Sequence, residues 1–463
     1  MPPAPDRFVA DPRYQQEFER ARALVLGHPR RWRIIYHYDA DGIASASSLL
    51  RAFGRLGYPV QATPLVGVER ERIRALLGAT KGPVLIVDTG ASWLDEYPAH
   101  PFPVVVLDHH TYPGYPNPPA LPPHVAFVNP LNWGVDGMSE LCASTLSWLF
   151  TVFLDPVNWD NAPWGLSGAI GDRMHVGGFR GLNGILVDEA VRRSIVVRRP
   201  GVALLGPTVG EALATAIDPY FRGLSGEPER ARAFLAESGI DPDVAPTALG
   251  PEEVARLLPR LRARLTEAGV LPEFVALLDQ GRWFVPSLGL DAEDLSNLQS
   301  ATGRAGEPGV GVAMSVGDEG AFARARQAER GWRGGILEGL RRLERDGVRT
   351  MTGICWFDSP DTTLAGTQAG MAMNYLLPPE RPVLVFSDGA PGPTKVSGRG
   401  TLRLVGAGLD LAAALREGAA AVGGEGGGHR VASGATIPTG SRERFLAVVD
   451  RTVAAQLHRE GTA

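Results

Sequence analysis

Asp39 and Asp41 lie two positions apart in His37-Tyr38-Asp39-Ala40-Asp41-Gly42, directly after the apolar run Ile34-Ile35-Tyr36. Asp88 follows Val84-Leu85-Ile86-Val87, and Asp108-His109-His110 follows Val104-Val105-Val106-Leu107. Carboxylates and imidazoles are ligands for divalent metals, and a set this size describes a pocket for two of them. Asp39 and Asp41, spaced i and i+2 in one turn, can converge, and Gly42 permits that turn where a helix presents its positive end. One carboxylate at Asp88 can bridge two ions with its two oxygens. Imidazoles suit manganese better than magnesium, so two Mn2+ ions are expected, with Mg2+ as the substitute. Asp172, in Ile170-Gly171-Asp172-Arg173-Met174, closes the shell. Taken alone, Asp88 reads equally well as a helix cap, and a His pair as a satisfied polar pair. Together, and in this order, the groups point to metal-assisted attack on phosphorus, for which two ions about 3.5–4 Å apart are suited.

The apolar runs must be strands for this to hold. Helical stretches at Ile43–Leu56 and Glu69–Leu77 alternate with them, which reads as βαβ units with a parallel sheet, and a parallel sheet gathers the C-terminal ends of its strands along one edge. Gln15–Leu26 reads as an amphipathic opening helix, Ser139–Leu154 as a buried helix, and Asn161–Gly171 as the helix that delivers Asp172. Pro113–Pro123 reads as surface loop. From about Val196 to Gly320 prolines punctuate short helical patterns such as Glu253–Ala268. A long polar helix is expected from Glu319 to Asp346, with Gly334-Gly335 as a point where it could break. Strands at Val348–Phe357, Pro382–Ser387 and Lys395–Arg403, with helices at Thr363–Leu377 and Leu411–Ala421, make a smaller C-terminal α/β domain.

The 463 residues exceed one ordinary core. The expected organisation is α/β throughout: a parallel-sheet metal-binding domain at 1–195, a helical middle region with its connecting helix at 196–346, and a second domain at 347–463. A net charge of -5 argues against a protein that coats nucleic acid everywhere, but leaves room for a local basic groove. Positive charge is almost all arginine, which reads as compositional bias; Lys81 and Lys395 are the lysines. Cys142 and Cys355 lack disulfide or zinc spacing. The start, Met1-Pro2-Pro3-Ala4-Pro5, has no apolar signal core and no run is long enough to span a bilayer, so a cytoplasmic location is expected. Rival chemistries are missing their motifs. Gly389 to Lys395 approaches a phosphate-binding Walker loop but carries Thr394 where glycine is needed, and neither a Gly-x-Ser-x-Gly elbow nor a His-Glu-x-x-His helix occurs.

These motifs in this order resemble the DHH phosphoesterase superfamily, named for the triplet present here as Asp108-His109-His110. The run Gly423-Gly424-Glu425-Gly426-Gly427-Gly428-His429-Arg430-Val431-Ala432-Ser433-Gly434-Ala435 resembles the glycine-rich motif of its associated domain, DHHA1. Ala216-Ile217-Asp218-Pro219-Tyr220 and Gly303-Arg304 are similar to features of the archaeal RecJ-like exonucleases. The resemblance implies metal ligands at Asp39, Asp41, Asp88, Asp108, His109 and Asp172, with His37 as ligand or support, and a phosphate contact from His110. His110 and Asp88 are then the catalytic pair. It implies substrate contacts from Arg304, Ser397, Arg399 and His429, with Gly427 and Gly428 letting backbone N–H groups approach an anion. The expected activity is exonucleolytic hydrolysis of single-stranded DNA or RNA, with replication or repair proteins as further partners. Trp133, Trp164 and Trp356 are candidates for stacking bases, and Arg173 and Arg180 for phosphate contacts, although core and surface roles are the commoner fates of such residues. Two other readings stay open: a phosphodiesterase for cyclic dinucleotides or very short RNAs, and a non-catalytic replication scaffold.

Overall fold

The structure, a computed structural model, describes residues 12–66, 70–388 and 392–458. Met1–Pro5, Glu69 and Gly389, used above on sequence grounds, lie outside them. Contacts divide the chain into two units. One runs to Arg199 and takes up Arg282–Arg330; the other comprises Pro200–Gly281 and the chain from Gly331 onward. The middle stretch is thus shared between the units, because its two halves bury their apolar faces on different cores.

In the first unit, α1 (Pro12–Leu26) precedes β1 (Trp32–His37), α2 (Ala40–Arg55), β2 (Val60–Leu65), α3 (Arg70–Ala79), β3 (Val84–Val87), β4 (Val104–Leu107) and β5 (Val125–Val128). The helices α4 (Ala143–Leu154), α5 (Ala162–Gly171) and α6 (Gly181–Arg192) follow. The five strands are all parallel, in the order β2-β1-β3-β4-β5. Each central strand is apolar on both faces. Ile34, Tyr36, Leu85, Val87, Val105 and Leu107 bury with α1, α2, α4 and α5; Ile35, Val84, Ile86, Val104 and Val106 bury with Ile73 and Leu77 of α3. That two-sided burial is what a parallel sheet covered by helices requires. In α1 the buried side chains Tyr14, Phe18, Ala21 and Val25 recur at helical spacing, as do Ile43, Ala46, Leu49 and Phe53 in α2.

This strand order reverses direction between β1 and β3, the switch point where doubly wound sheets open a crevice at their C-terminal edge. Tyr36 pairs with Val87, Val87 with Leu107 and Leu107 with Val128. The next residue in each strand therefore falls in one row: His37, Asp88, Asp108 and Asn129. Helix Ala292–Arg304 packs on α5 and α2. A Cβ at its Gly303 would stand 1.9 Å from the Tyr38 carbonyl oxygen, and one at Gly171 of α5 would stand 2.6 Å from the Ala40 Cβ. Two glycines thus let helices clamp the turn that carries Asp39 and Asp41.

The second unit holds a six-stranded sheet in the order 425–428, 432–437, 394–399, 383–388, 355–358, 349–350. Only Cys355–Asp358 and Val383–Asp388 run parallel. Several local expectations change. The helix Glu319–Asp346 is unbroken. Its Gly335 makes room for the Leu364 side chain, and the Gln368 amide donates to the Gly335 carbonyl at 3.1 Å, so the glycine serves packing. The strand expected to run to Arg403 stops at Arg399, because Thr401 caps helix Leu402–Gly406 by accepting from the Leu404 N–H at 3.1 Å. The stretch 348–357 is a hairpin of two short strands, Arg349–Thr350 and Cys355–Asp358. Among the described residues no helix is long and apolar enough to cross a membrane.

Gly303→Ala should lower stability by about 1–3 kcal/mol through overpacking against Tyr38. Gly309→Ala, where a Cβ meets nothing within 4 Å, should be neutral or stabilising. Thermal or urea unfolding of the two variants side by side checks both.

Candidate metal centre

Each acidic group reaches the crevice by a different local device. Asp39 caps α2: its Oδ1 accepts from the Gly42 N–H at 3.1 Å, which leaves Oδ2 facing His37 Nδ1 at 3.0 Å. A Cβ at Gly42 would stand 2.2 Å from the His37 carbonyl oxygen, so the tight turn read from the sequence does require glycine. Asp41 points across to α4, where its two oxygens accept from the N–H groups of Ala143 and Ser144, each at 2.9 Å. The first turn of α4 thereby offsets part of the cost of burying this carboxylate. Asp88 leaves β3 with φ of 55°, a left-handed conformation that costs about 1–2 kcal/mol for a non-glycine residue. Asp172 closes α5.

His109 is held by its far nitrogen. Its Nδ1 donates to the Gly137 carbonyl at 2.6 Å, and a Cβ at Gly137 would collide with the His109 backbone. The opposite nitrogen, Nε2, lies 3.3 Å from Asp88 Oδ1, 3.6 Å from Asp172 Oδ2 and 3.8 Å from Asp41 Oδ2. A ring oriented through one nitrogen while the other faces carboxylates is how metal-bound histidines are arranged. The other oxygen of Asp88 turns to the second set, 3.4 Å from His37 Nδ1. His37 Nδ1 stands within ion-pair range of Asp39 and Asp88 but in hydrogen-bond geometry with neither. Both this nitrogen and Asp88 Oδ2 are buried without a hydrogen-bond partner, an arrangement that costs about 1–3 kcal/mol per group unless another ligand satisfies it.

Donor atoms converge in three groups, each within 4.8 Å: His37, Asp39 and Asp88; Asp41, His109 and Asp172; and Asp88, Asp108, His109 and His110. Asp108 differs from the others. Its Oδ1 accepts from His109 N–H at 2.8 Å, His110 N–H at 3.3 Å and His110 Nδ1 at 2.7 Å, and its Oδ2 accepts from Ala91 N–H at 2.8 Å.

The charges are mutually dependent. Burial and then the charges of Asp39 and Asp41 push the Asp88 carboxyl up to about 6. Burial and Asp41 raise Asp172 well above the ordinary range. Burial opposes a charged ring at His37 and His109. The carboxylates around them, Asp39 and Asp88 for the first and Asp88, Asp172 and Asp41 for the second, outweigh it and raise both well above 6.5. Asp39 stays low despite burial because His37 is beside it, and Asp108 falls to about 2 because of His110. A cation among these groups would relieve the same repulsion between carboxylates. Imidazole nitrogens with carboxylate oxygens, two of these atoms orphaned, form a donor set that fits manganese.

The remaining expected residues sort by unit. Arg304, in the first, donates to the Tyr38 hydroxyl at 3.0 Å and lies over its ring, one residue from Asp39. Ser397 and Arg399 share one face of strand Thr394–Arg399, both beside Gly366. Gly427 and Gly428 lie in strand Glu425–Gly428, and His429 begins the turn that joins it to Ala432–Ile437. Gly427 and Ser397 flank Gly434 on either side. Trp164 is buried in α5 and is removed from the base-stacking candidates. Trp133 packs on Tyr14 and Phe18, and Trp356 lies under the guanidinium groups of Arg349 and Arg442. Arg180 is the residue preceding α6, and Arg173 turns the chain after Asp172 with φ of 61°. Sequence reasoning missed Asn129, which donates to the His110 carbonyl at 3.0 Å. Its signal was available, since it ends a fourth apolar run, Val125–Val128. Gly137 and the start of α4 carried no local signal.

Comparison with known proteins agrees with this geometry. The DHH family N-terminal domain matches residues 31–162, and the DHHA1 domain matches residues 363–455. The chain thus carries the two domains, DHH and DHHA1, of a DHH-family phosphoesterase. An uncharacterized protein of Methanocaldococcus jannaschii is 27% identical over 448 residues, which cover 94% of this chain and 96% of that protein. RecJ from Thermus thermophilus, solved in complex with Mn2+, superposes with a TM-score of 0.59 at 19% identity over 97% of this chain. The match spans only 56% of the Thermus protein. CDC45 from Entamoeba histolytica superposes with a TM-score of 0.62 at 12% identity, covering 95% of this chain and 99% of that one. At these identities the two solved structures establish a shared fold.

Adding Mn2+ should raise the melting temperature of the protein by several degrees, and Asp88→Asn should abolish that shift while melting no lower than the metal-free parent. Because protons must leave the two raised histidines for a cation to bind, Mn2+ affinity should increase from pH 6 to pH 8 with net proton release. Calorimetry in buffers of differing ionisation enthalpy measures that release.

Proposed function

We propose that this chain is a two-metal phosphodiesterase that hydrolyses single-stranded DNA or RNA as an exonuclease. One observation carries the reading: Asp88 turns one oxygen to His37 and the other to His109, so a single carboxylate joins two separate ligand sets. His37, Asp39 and Asp88 would hold one Mn2+ ion, and Asp41, His109, Asp172 and Asp88 the other, with Mg2+ as a substitute. When bound, such a pair would supply a water-derived nucleophile and stabilise charge on phosphoryl oxygens. Asp108, whose donor atoms lie with those of Asp88, His109 and His110 within 4.8 Å, would complete the ligand shell, and the hydrogen bond it accepts from His110 Nδ1 would hold that ring. With Nδ1 held by Asp108, the His110 ring would turn Nε2 toward a phosphate oxygen. Its half-exposed position suits that contact.

Arg304, positioned by Tyr38, would pair with a substrate phosphate near the ions. In the C-terminal domain Ser397, Arg399, Gly427, Gly428 and His429 would hold phosphate and sugar groups, which assigns catalysis to the first domain and substrate binding to the last. Work alongside replication or repair proteins in the cytoplasm fits this activity. A non-catalytic scaffold would have no use for a cluster of carboxylates that repel one another without a cation.

End-labelled single strands of each sugar, incubated with protein and Mn2+, should shorten stepwise and faster than a cyclic or linear dinucleotide is cut. Preference for the dinucleotide would favour the small-substrate reading. Asp88→Asn should reduce the rate about a hundred- to a thousandfold or more. His110→Ala should lose a similar factor in kcat while retaining the Mn2+-induced rise in melting temperature, which separates its role from ligation.

A further inference from the structure

We propose that Tyr115 is a nucleobase-stacking site for the strand leaving the metal centre. The inference rests on the nuclease reading above and adds a residue that neither the motifs nor the acidic cluster points to. Among the described residues Tyr115 is the one aromatic side chain in the exposed class, with 48% of its surface accessible. It stands on the loop that directly follows Asp108-His109-His110. The Tyr115 N–H donates to the Tyr112 carbonyl at 3.1 Å, closing a turn. Two chain steps from His110 to Tyr112, plus the width of one turn, place its Cα within about 15 Å of the His110 Cα. That distance is about four stacked nucleotide steps at most.

The ring is held in place from below. Tyr115 meets Tyr112 edge to face with centroids 5.6 Å apart, and Tyr112 meets Phe127 of β5 in the same way at 5.2 Å. The Tyr112 hydroxyl donates to Asn132 Oδ1 at 2.7 Å. An aromatic tier thus rises from the sheet to the surface and ends in Tyr115. A perpendicular contact engages at most one face of the outer ring, so a flat face remains for a base. Prolines at 113, 116, 118 and 119 restrict the backbone on both sides, which lowers the entropy lost when a base docks. An exposed aromatic whose one ring contact is edge to face adds little to stability, whereas a base stacked on its open face gains binding energy whatever the strand's sequence. Trp133, Trp164 and Trp356, spent on internal packing or on arginines, leave this task to Tyr115.

The test uses the full chain with Mn2+ and single strands of about twelve nucleotides. Tyr115→Ala should raise KM about tenfold with kcat nearly unchanged, and Tyr115→Phe, which keeps the ring, should restore KM. An abasic site walked along the strand should weaken binding to the parent protein at one position, and that position should vanish in Tyr115→Ala. Melting curves of the variants should superpose on that of the parent. If Tyr115→Ala binds and cuts strands as the parent does, the stacking site is refuted and the nuclease reading stands. If the parent protein binds no oligonucleotide, the nuclease reading itself fails and this site falls with it.

Discussion

Five aspartates brought to one crevice repel each other, and the first unit is organised to hold them there. Two carboxylates about 4 Å apart cost each other about 4 kcal/mol at the effective dielectric of a protein surface. The chain meets this cost with fixed local dipoles and with imidazoles. Asp41 takes two N–H groups from the start of α4, Asp39 takes one from α2, and Asp108 takes three backbone N–H groups and the His110 ring. Asp88 has only the neighbouring imidazoles, and one of its oxygens remains without a hydrogen bond. Asp88, with one oxygen left unpaired, is the residue that faces both ligand sets.

The rest of the first unit follows from that requirement. A parallel sheet with a switch point between β1 and β3 places the three motif-bearing strand ends side by side. Glycines then bring the supporting elements within contact distance. Gly42 lets α2 start against β1, Gly137 lets its own carbonyl orient His109, and Gly303 lets a distant helix press on Tyr38. The same helix ends in Arg304, which reaches the Tyr38 hydroxyl, so the element that braces the acidic turn also delivers a cation beside it. The glycine-rich run of the second unit works in another way. Half of it forms strands, where Gly427 and Ser397 border Gly434 on neighbouring edges.

Expectation and structure part company in ways that have physical causes. The break expected at Gly334-Gly335 does not occur, because helix propensity is a weak term beside the packing of Ile336, Leu340 and Leu343 into a core. The strand expected to continue to Arg403 is ended by a threonine cap that local hydrophobicity does not reveal. Trp164 is buried because α5 is apolar on nearly every side, whereas an isolated tryptophan in a sequence gives no hint of its surroundings.

From the sequence alone came β1, β3 and β4, the helices Ile43–Leu56 and Glu69–Leu77, and the carboxylates and imidazoles that meet in the crevice. Those features are local: continuous apolar runs set the strands, and polar groups at their ends stand out against them. The tertiary structure decided which oxygen faces which imidazole, that Asp108 accepts four hydrogen bonds while one oxygen of Asp88 accepts none, and that Asn129, Gly137 and the start of α4 complete the support. It also decided which aromatic reaches solvent. Some of these contacts join residues far apart in the chain, as Asp41 and the start of α4 do, and all depend on the direction of individual lone pairs, which residue order does not set.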